Sequence, residues 1–359
     1  MTRWMTVAVG ILVATSLLAS ASTLKYLGSY ALSPSSARDL SGLTYDADRN
    51  VYYAVSDREG GFYTLAIDVD QNGIHNVRAF GLTLLDSDQG TAGSQPYQSA
   101  LIDAEAIALS PQSNLFISSE RGASNSPWIR TFGLDGTLMG EVPIPRKFLP
   151  ATSLSKGLRP NLAFEAMALH STGNTLYVAN EQALQQDGDQ ATLTRGTLVR
   201  IIQYNLGSDP PTDIAEYVYV TEPIFVVPWG NEGSFNGVSA MVAVKHLMPE
   251  YDLLVMERSY SSGVGYDIKL FGVSFAGATN VVHTETLPCL CSTKAVRKTL
   301  LLRISSQEKW SDIAVVSGNM EAMALGPQLM NGHYTLILAS DNEGDPAQPT
   351  LFLAFEIVH

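Results

Sequence analysis

Three glutamates in this 359-residue chain lie in near-identical phrases: Ala104-Glu105-Ala106-Ile107-Ala108-Leu109, Phe164-Glu165-Ala166-Met167-Ala168-Leu169 and Met320-Glu321-Ala322-Met323-Ala324-Leu325. Two weaker copies carry serine instead: Leu40-Ser41-Gly42-Leu43-Thr44 and Val238-Ser239-Ala240-Met241-Val242. After each phrase comes an apolar run that closes on an acid. These acids are Asp57, Glu120, Glu181, Glu257 and Asp341, which lie 16, 15, 16, 18 and 20 residues beyond the marker position. Carboxylates at one register of a repeat converge. Converging carboxylates are stable only when protonated, paired with a base, or neutralised by a cation. An all-oxygen donor set without His or Cys suits calcium or magnesium. Glu105, Glu165 and Glu321 are therefore candidate catalytic residues, holding metal or activating water. Asp57, Glu120, Glu181, Glu257 and Asp341 are candidate metal ligands. The competing reading is architectural, each Glu accepting backbone N–H groups from the neighbouring repeat.

Three closing acids run directly into arginine: Asp57-Arg58, Glu120-Arg121 and Glu257-Arg258. Arg159, in Gly157-Leu158-Arg159-Pro160-Asn161, leads into the Glu165 phrase. Neighbouring strand residues point to opposite faces, so acids that reach a common axis leave their arginines facing loops or the next repeat. Arg58, Arg121, Arg159 and Arg258 are candidate substrate-binding residues, because a phosphate approaching carboxylates needs a guanidinium. Salt bridges between repeats are the plainer alternative. Asp341-Asn342-Glu343-Gly344-Asp345 is dense in oxygen donors but lacks the glycine and distant Glu of a calcium-binding EF-hand loop. No Gly-x-Ser-x-Gly elbow is present. A serine esterase would have to use Ser41 or Ser239, with His170 as the best-placed histidine.

These residues need a scaffold that sets them at equal height. The marker positions recur at intervals of 64, 60, 74 and 82 residues. Each unit continues into two further strand candidates: Phe62–Val69 and Val77–Leu84, Trp128–Leu134 and Leu138–Ile144, Thr197–Tyr204 and Ala215–Val220, then Tyr266–Phe275 and Asn280–Leu287. Four-stranded units repeating at a long period predict an all-β fold, a single β-propeller with five visible repeats. A sixth blade has room only in Lys294–Val316. The last unit is one strand short. The N-terminal run Thr23–Leu32 can supply it, closing the ring with both chain ends. No long helix is expected, although Asp103–Leu109 has local helical preference.

Net charge is −13, which disfavours nucleic acid and anionic membranes as partners. Arg3, the apolar Met5–Leu18 and the small-residue Ala19-Ser20-Ala21 read as an export signal at 1–21 ahead of one domain at 22–359. The expected mature protein is a periplasmic or extracellular monomer, cut near Ala21, with no further membrane segment. Cys289 and Cys291 are too few and too close for a disulfide framework.

The Glu-Ala-Met/Ile-Ala-Leu phrases, Ser56-Asp57-Arg58, Ser119-Glu120-Arg121-Gly122 and Ala339-Ser340-Asp341-Asn342 together resemble the phytase-like domain family, described as having esterase-like activity of phytase. The resemblance spans about Leu40 to Ile357. It implies a secreted propeller, a small anionic or ester substrate, and calcium-dependent ester hydrolysis. No phytase catalytic motif matches residue by residue, and Ser41 and Ser239 interrupt a fully acidic ring. A non-catalytic propeller that binds a ligand or protein on its rim is the alternative from a different class.

Overall fold

The computed structural model describes residues 22–86, 102–120, 126–151, 155–231, 233–287, 292–305 and 318–358. Among them are five four-stranded antiparallel sheets and almost no helix; the 3-10 turn Arg146–Phe148 is the one helical element. Blade I is β2 (Leu40–Asp46), β3 (Val51–Ser56), β4 (Gly61–Asp70) and β5 (Gly73–Leu84). Blade II is β6 (Ala104–Leu109), β7 (Asn114–Ser119), β8 (Trp128–Gly133) and β9 (Leu138–Glu141). Blade III is β10 (Phe164–Leu169), β11 (Thr175–Asn180), β12 (Leu198–Asn205) and β13 (Thr212–Val220). Blade IV is β14 (Ser234–Ala243), β15 (Leu253–Ser261), β16 (Gly265–Ser274) and β17 (Arg297–Ser305). Blade V is β18 (Asn319–Gln328), β19 (Tyr334–Asp341), β20 (Thr350–Val358) and, on its outer edge, β1 (Thr23–Leu32). The pairing of β1 with β20 joins the two ends of the chain in one sheet, as the sequence predicts.

The phrase that marks each repeat is the innermost strand of each blade. Its alternation explains its composition. The residues at +1 and +3 are mostly alanine, and they lie in the seams between blades: Ala106 and Ala108 between II and III, Ala166 and Ala168 between III and IV, Ala322 and Ala324 between V and I. Small side chains there let five strands crowd a common axis. Each of the five seams has its own apolar cluster, so the core is a ring of wedges. The residues at +2, Leu43, Ile107, Met167, Met241 and Met323, are all buried and meet on the axis as an apolar septum. Gly42 is needed where blades I and II touch, because a Cβ there would sit 2.8 Å from the Glu105 carbonyl oxygen.

Two expectations fail. The run Asn280–Leu287 is not the outer strand of blade IV, and the region around Thr299–Ile304 is not a sixth blade: Arg297–Ser305 is itself the outer strand of blade IV. Residues 280–287 instead cross to blade III. There Val281 donates its N–H to the Glu216 carbonyl, and Leu287 donates to Asp187 Oδ1 at 2.8 Å. A buried ionic group fixes this crossing. Arg200 pairs with Asp187 at 2.6 Å and Glu216 at 2.9 Å, donates to the Thr284 carbonyl, and Lys147 reaches Glu216 at 2.7 Å. Full burial of such charges is tolerable only with every partner in place, so a β-branched run becomes a strap rather than a strand. The outer strand of blade II is also shorter than expected, ending at Glu141.

Candidate functional site

All five marker residues coincide with β-bulges. The pairing of each inner strand with its neighbour skips between Leu40 and Gly42, Ala104 and Ile107, Phe164 and Ala166, Val238 and Ala240, and Met320 and Ala322. Ser41, Glu105, Glu165, Ser239 and Glu321 fall in these gaps. A bulge re-aims a side chain, and here it frees each marker from the ladder at the mouth of the axial channel. The mouth is a cavity of about 750 Å³, floored by the apolar septum.

Eight carboxyls line this funnel: Asp57, Asp103, Glu105, Glu120, Glu165, Glu181, Glu321 and Asp341. Two guanidiniums, Arg58 and Arg258, accompany them. No histidine lines it among the described residues. The structure therefore brings together all three catalytic candidates, four of the five metal-ligand candidates and two of the four arginines.

Glu257 does not face the funnel. Its carboxylate accepts from Tyr219 Oη at 2.6 Å, the Glu222 N–H at 2.8 Å and Asn236 Nδ2 at 2.9 Å, and it pairs with Lys298 at 2.8 Å, in the seam beside blade III. The sheet register gives the reason. Ser56, Ser119, Asn180 and Ser340 pair with the residue just before the marker in their blades, and in blade IV that partner is Glu257. The position equivalent to Asp57, Glu120, Glu181 and Asp341 is thus Arg258. The expected alternation of acid inward and arginine outward is inverted in this blade. Arg159 is spent on the Ala183 and Gly188 carbonyls, at 2.9 and 2.6 Å, outside the funnel wall. Arg121 lies outside the described residues, as do Cys289, Cys291 and the 1–21 segment.

Arg258 organises one wall. It is buried, donates to Glu321 Oε1 and to Asn319 Oδ1 at 2.6 Å, pairs with Glu181 at 3.2 Å and lies over the Phe235 ring at 5.1 Å. The opposite wall belongs to blade II. Asp103, Glu105 and Glu120 are all buried and can bring one oxygen each within 4.8 Å of one another. Burial raises the Glu105 carboxyl well above the usual range, and its acidic neighbours, Glu120 first, push it further. Burial likewise lifts Glu120 to about 7, against the opposing pull of the Ala163 N–H. Glu165, too, has its carboxyl raised well above the usual range by burial, with the Glu105 charge adding to it. Glu321 is raised to about 8 by burial despite the opposing Arg258 charge.

Two carboxylates of this region escape a sequence search built on the phrases alone. Asp39 and Asp103 each precede their marker by two residues, and Asn319 holds the same offset in blade V. That offset is the signal that would have found them. Asp39 has a left-handed backbone (φ 55°), takes the Gly344 N–H at 2.7 Å and, through its own N–H, the Asn342 side chain at 2.8 Å. The Asp341–Asp345 run therefore clasps blade I to blade V. Asp39, Asp57 and Asp341 form a second acidic triad there, with Arg58 Nε 3.4 Å from Asp57. Burial, then the Asp341 charge, raises Asp57 to about 7.

Ser41 and Ser239 are buried, and Ser239 Oγ is spent on the Met320 carbonyl. His170 lines a separate cavity of about 430 Å³ on the far side of the septum, together with His246. Among the described residues the geometry thus pairs neither Ser41 nor Ser239 with His170. The oxygen-only donor set of the funnel does fit a hard cation such as calcium.

Fold and site together define a five-bladed propeller with an acidic, blind axial funnel. The sequence matches the family Phytase-like, "Esterase-like activity of phytase", over residues 37–344, and the chain belongs to that family. It is 25% identical over 185 residues to an uncharacterised secreted protein of Arthroderma benhamiae, a match covering 45% of this chain and only 35% of that relative. In fold it is similar to an endo-arabinase of Bacteroides thetaiotaomicron (12% identity, 92% and 97% of the two chains, TM-score 0.46). It is also similar to the calcium-binding protein regucalcin of Agrobacterium tumefaciens (12% identity, 92% and 95%, TM-score 0.42). No residue role passes across at this identity. Among the described residues no helix is long and apolar enough to cross a membrane.

Proposed function

We propose that this protein is exported and hydrolyses phosphate or carboxylic esters in the axial funnel with the help of calcium. The observation that carries the reading is the gathering of eight carboxyls against Arg58 and Arg258 in one blind cavity. A funnel with six negative charges in excess repels an anionic ester unless protons or a cation intervene. Asp103, Glu105 and Glu120 would hold that ion. Bound there, calcium supplies Lewis-acid polarisation of an ester oxygen and a more acidic water.

The remaining roles belong to the chain. Arg258, held between Glu181 and Glu321, presents fixed positive charge to an anionic group, and half-exposed Arg58 meets it at the rim. Buried Glu165, its carboxyl raised well above the usual range, would serve as a proton donor to the leaving oxygen. The septum closes the floor against bulk water. Family membership and the secreted relative support export, with 1–21 removed as a signal; the mature protein would act as a monomer on a small substrate.

The test is turnover by the mature protein on a panel of phosphate monoesters and carboxylic esters, with calcium and with chelator. Calcium-dependent turnover that falls in Glu165→Gln is expected. A well-folded, calcium-loaded protein inert on the whole panel defeats the hydrolase reading and favours a binding propeller. Turnover that survives chelator but stops with a serine-directed reagent defeats it in favour of an acyl esterase.

A further inference from the structure

The residue that follows the closing position differs from blade to blade: Arg58, Arg121, Gln182, Ser259 and Asn342. Three of the four that are described engage their side chains within the protein. Arg58 reaches Asp57 at 3.4 Å and Asp39 at 3.9 Å. Ser259 Oγ donates to the Phe235 carbonyl at 3.0 Å. Asn342 uses both ends of its amide, accepting from the Asp39 N–H at 2.8 Å and donating to the Asp345 carbonyl at 2.9 Å. Gln182 departs from this pattern. Its Oε1 accepts from the Ala191 N–H at 3.3 Å, a contact that fixes which end of the amide is oxygen. Its Nε2 has no hydrogen-bond partner among the described residues, although Gln182 is only 1% exposed and lines the funnel. A buried donor without an acceptor is costly unless the adjoining cavity supplies one. A second such donor belongs to the next blade. Arg258 directs Nη1 to Asn319 and Glu321 and Nη2 to Glu181, while its Nε has no acceptor among the described residues. Glu181, the residue before Gln182, links the two side chains through its 3.2 Å pair with Arg258.

We propose that Gln182 Nε2 and Arg258 Nε are the two donors of an oxyanion pocket where blades III and IV meet in the funnel, with Gln182 as the residue that recognises the bound group. Two N–H donors on two residues call for two acceptor oxygens. A phosphoryl group or a carboxylate offers them on one centre, whereas an alcohol or an ether does not. The neutrality of the amide matters in a cavity lined by eight carboxyls. A cationic side chain at this position is drawn into ion pairs with the protein's own acids, as Arg58 is with Asp39 and Asp57 in blade I. An amide is not, so its N–H stays available for a ligand oxygen. Blade III adds Asn161, Leu162 and Gln190 to the funnel lining, none of them charged. The pocket is a statement about binding; only its use to hold the non-bridging oxygens of an ester rests on the hydrolase reading.

The experiment is calorimetric titration of inorganic phosphate, and separately of acetate, into the mature protein, with calcium and with chelator. At least one of the two anions should bind the wild type in one of these conditions. Gln182→Met removes the donor at nearly constant shape and should weaken that binding by at least about tenfold, the loss expected for one hydrogen bond to a charged group. Gln182→Glu keeps an acceptor for the Ala191 N–H and should abolish binding. Gln190→Glu puts the same charge on an exposed residue of the same lining and should retain more affinity than Gln182→Glu. Binding of neither anion to the wild type, or unchanged affinity in folded Gln182→Met, overturns the pocket. Should Gln182→Met not fold, the two glutamate variants still decide: equal losses reduce the effect to charge and overturn the role of Gln182. Whether phosphate or acetate shows the dependence on Gln182 identifies the group held, and either supports the pocket. Anion binding that depends on Gln182, without turnover of any ester, refutes the hydrolase reading and leaves the pocket intact. Ester turnover that is unchanged in Gln182→Met does the reverse.

Discussion

Removing calcium should make this protein less stable as pH rises from about 5 to about 8, against the usual trend for a fold rich in salt bridges. The sign follows from the funnel. Burial raises Glu120 from 4.5 and Asp57 from 3.8, each to about 7, and Glu321 from 4.5 to about 8. In the unfolded chain these groups lose their protons near pH 4, while the folded protein holds them until pH 7 or 8. Between those limits the native state binds more protons, so each step up in pH favours unfolding. For Glu120 alone, raised by burial and by the Glu181 and Asp103 charges with the Ala163 N–H and Glu165 in opposition, the shift corresponds to about 3 kcal/mol. The acids share one cavity and their losses do not add, so the single-group value serves as a floor. At about 2 °C per kcal/mol for a chain of this size, Tm should fall by about 6 °C or more. Glu356 has the opposite sign: the His333 hydrogen bond first, aided by Asn331 and Lys25, holds it down to about 2. Its contribution is complete above about pH 4.5 and is lost only in stronger acid, so it leaves this window untouched. The assay is scanning fluorimetry at several pH values with chelator and with millimolar calcium. Calcium should flatten the decline, because a bound cation replaces the protons. A chelated protein whose Tm stays level or climbs between pH 5 and 8 refutes the reasoning.

Other expectations are more local. Arg200→Met leaves Asp187 and Glu216 buried with an incomplete set of partners, and denaturant melts should show a loss of about 3–5 kcal/mol, with the 280–287 strap becoming protease-sensitive. Gly237→Ala drives a Cβ to 2.6 Å from Glu181 Cγ and 3.0 Å from its carbonyl oxygen; chemical denaturation should report about 1–3 kcal/mol of destabilisation. Ser41→Ala and Ser239→Ala should both retain ester turnover, and loss of turnover in either, with the fold intact, would favour a serine mechanism.

How much of this was legible beforehand depends on which physical signal each feature leaves in the chain. The inner strands were legible because their chemistry repeats: alanines where blades crowd the axis, a bulged polar residue at the mouth, an apolar residue in the septum. Ring closure was legible because an orphan strand pattern stood at each end. The strap at 280–287 was not. Val281, Val282 and Leu287 have strand-like composition, and what makes them a strap is Arg200, Asp187, Glu216 and Lys147, scattered over 70 residues of sequence and joined only by folding.

The misassigned blade IV position is the more instructive case, because a slip of one residue reverses the chemistry of a wall. Blade IV pairs β14 and β15 over a longer stretch than the first hairpins of blades I to III, and the spacing from marker to closing position stretches with it. Counting acids along the chain then selects Glu257, the first acid that follows Leu253–Met256. Strand alternation places the neighbouring residue in the funnel instead. Glu257 and Arg258 were both recognisable as site residues. Only the pairing of Val238 with Glu257 shows which faces the axis. With the acid inward, the funnel would hold nine carboxyls and one arginine at its rim, an arrangement needing cations on every side. With Arg258 inward, Glu181 and Glu321 are each paired from within the funnel wall.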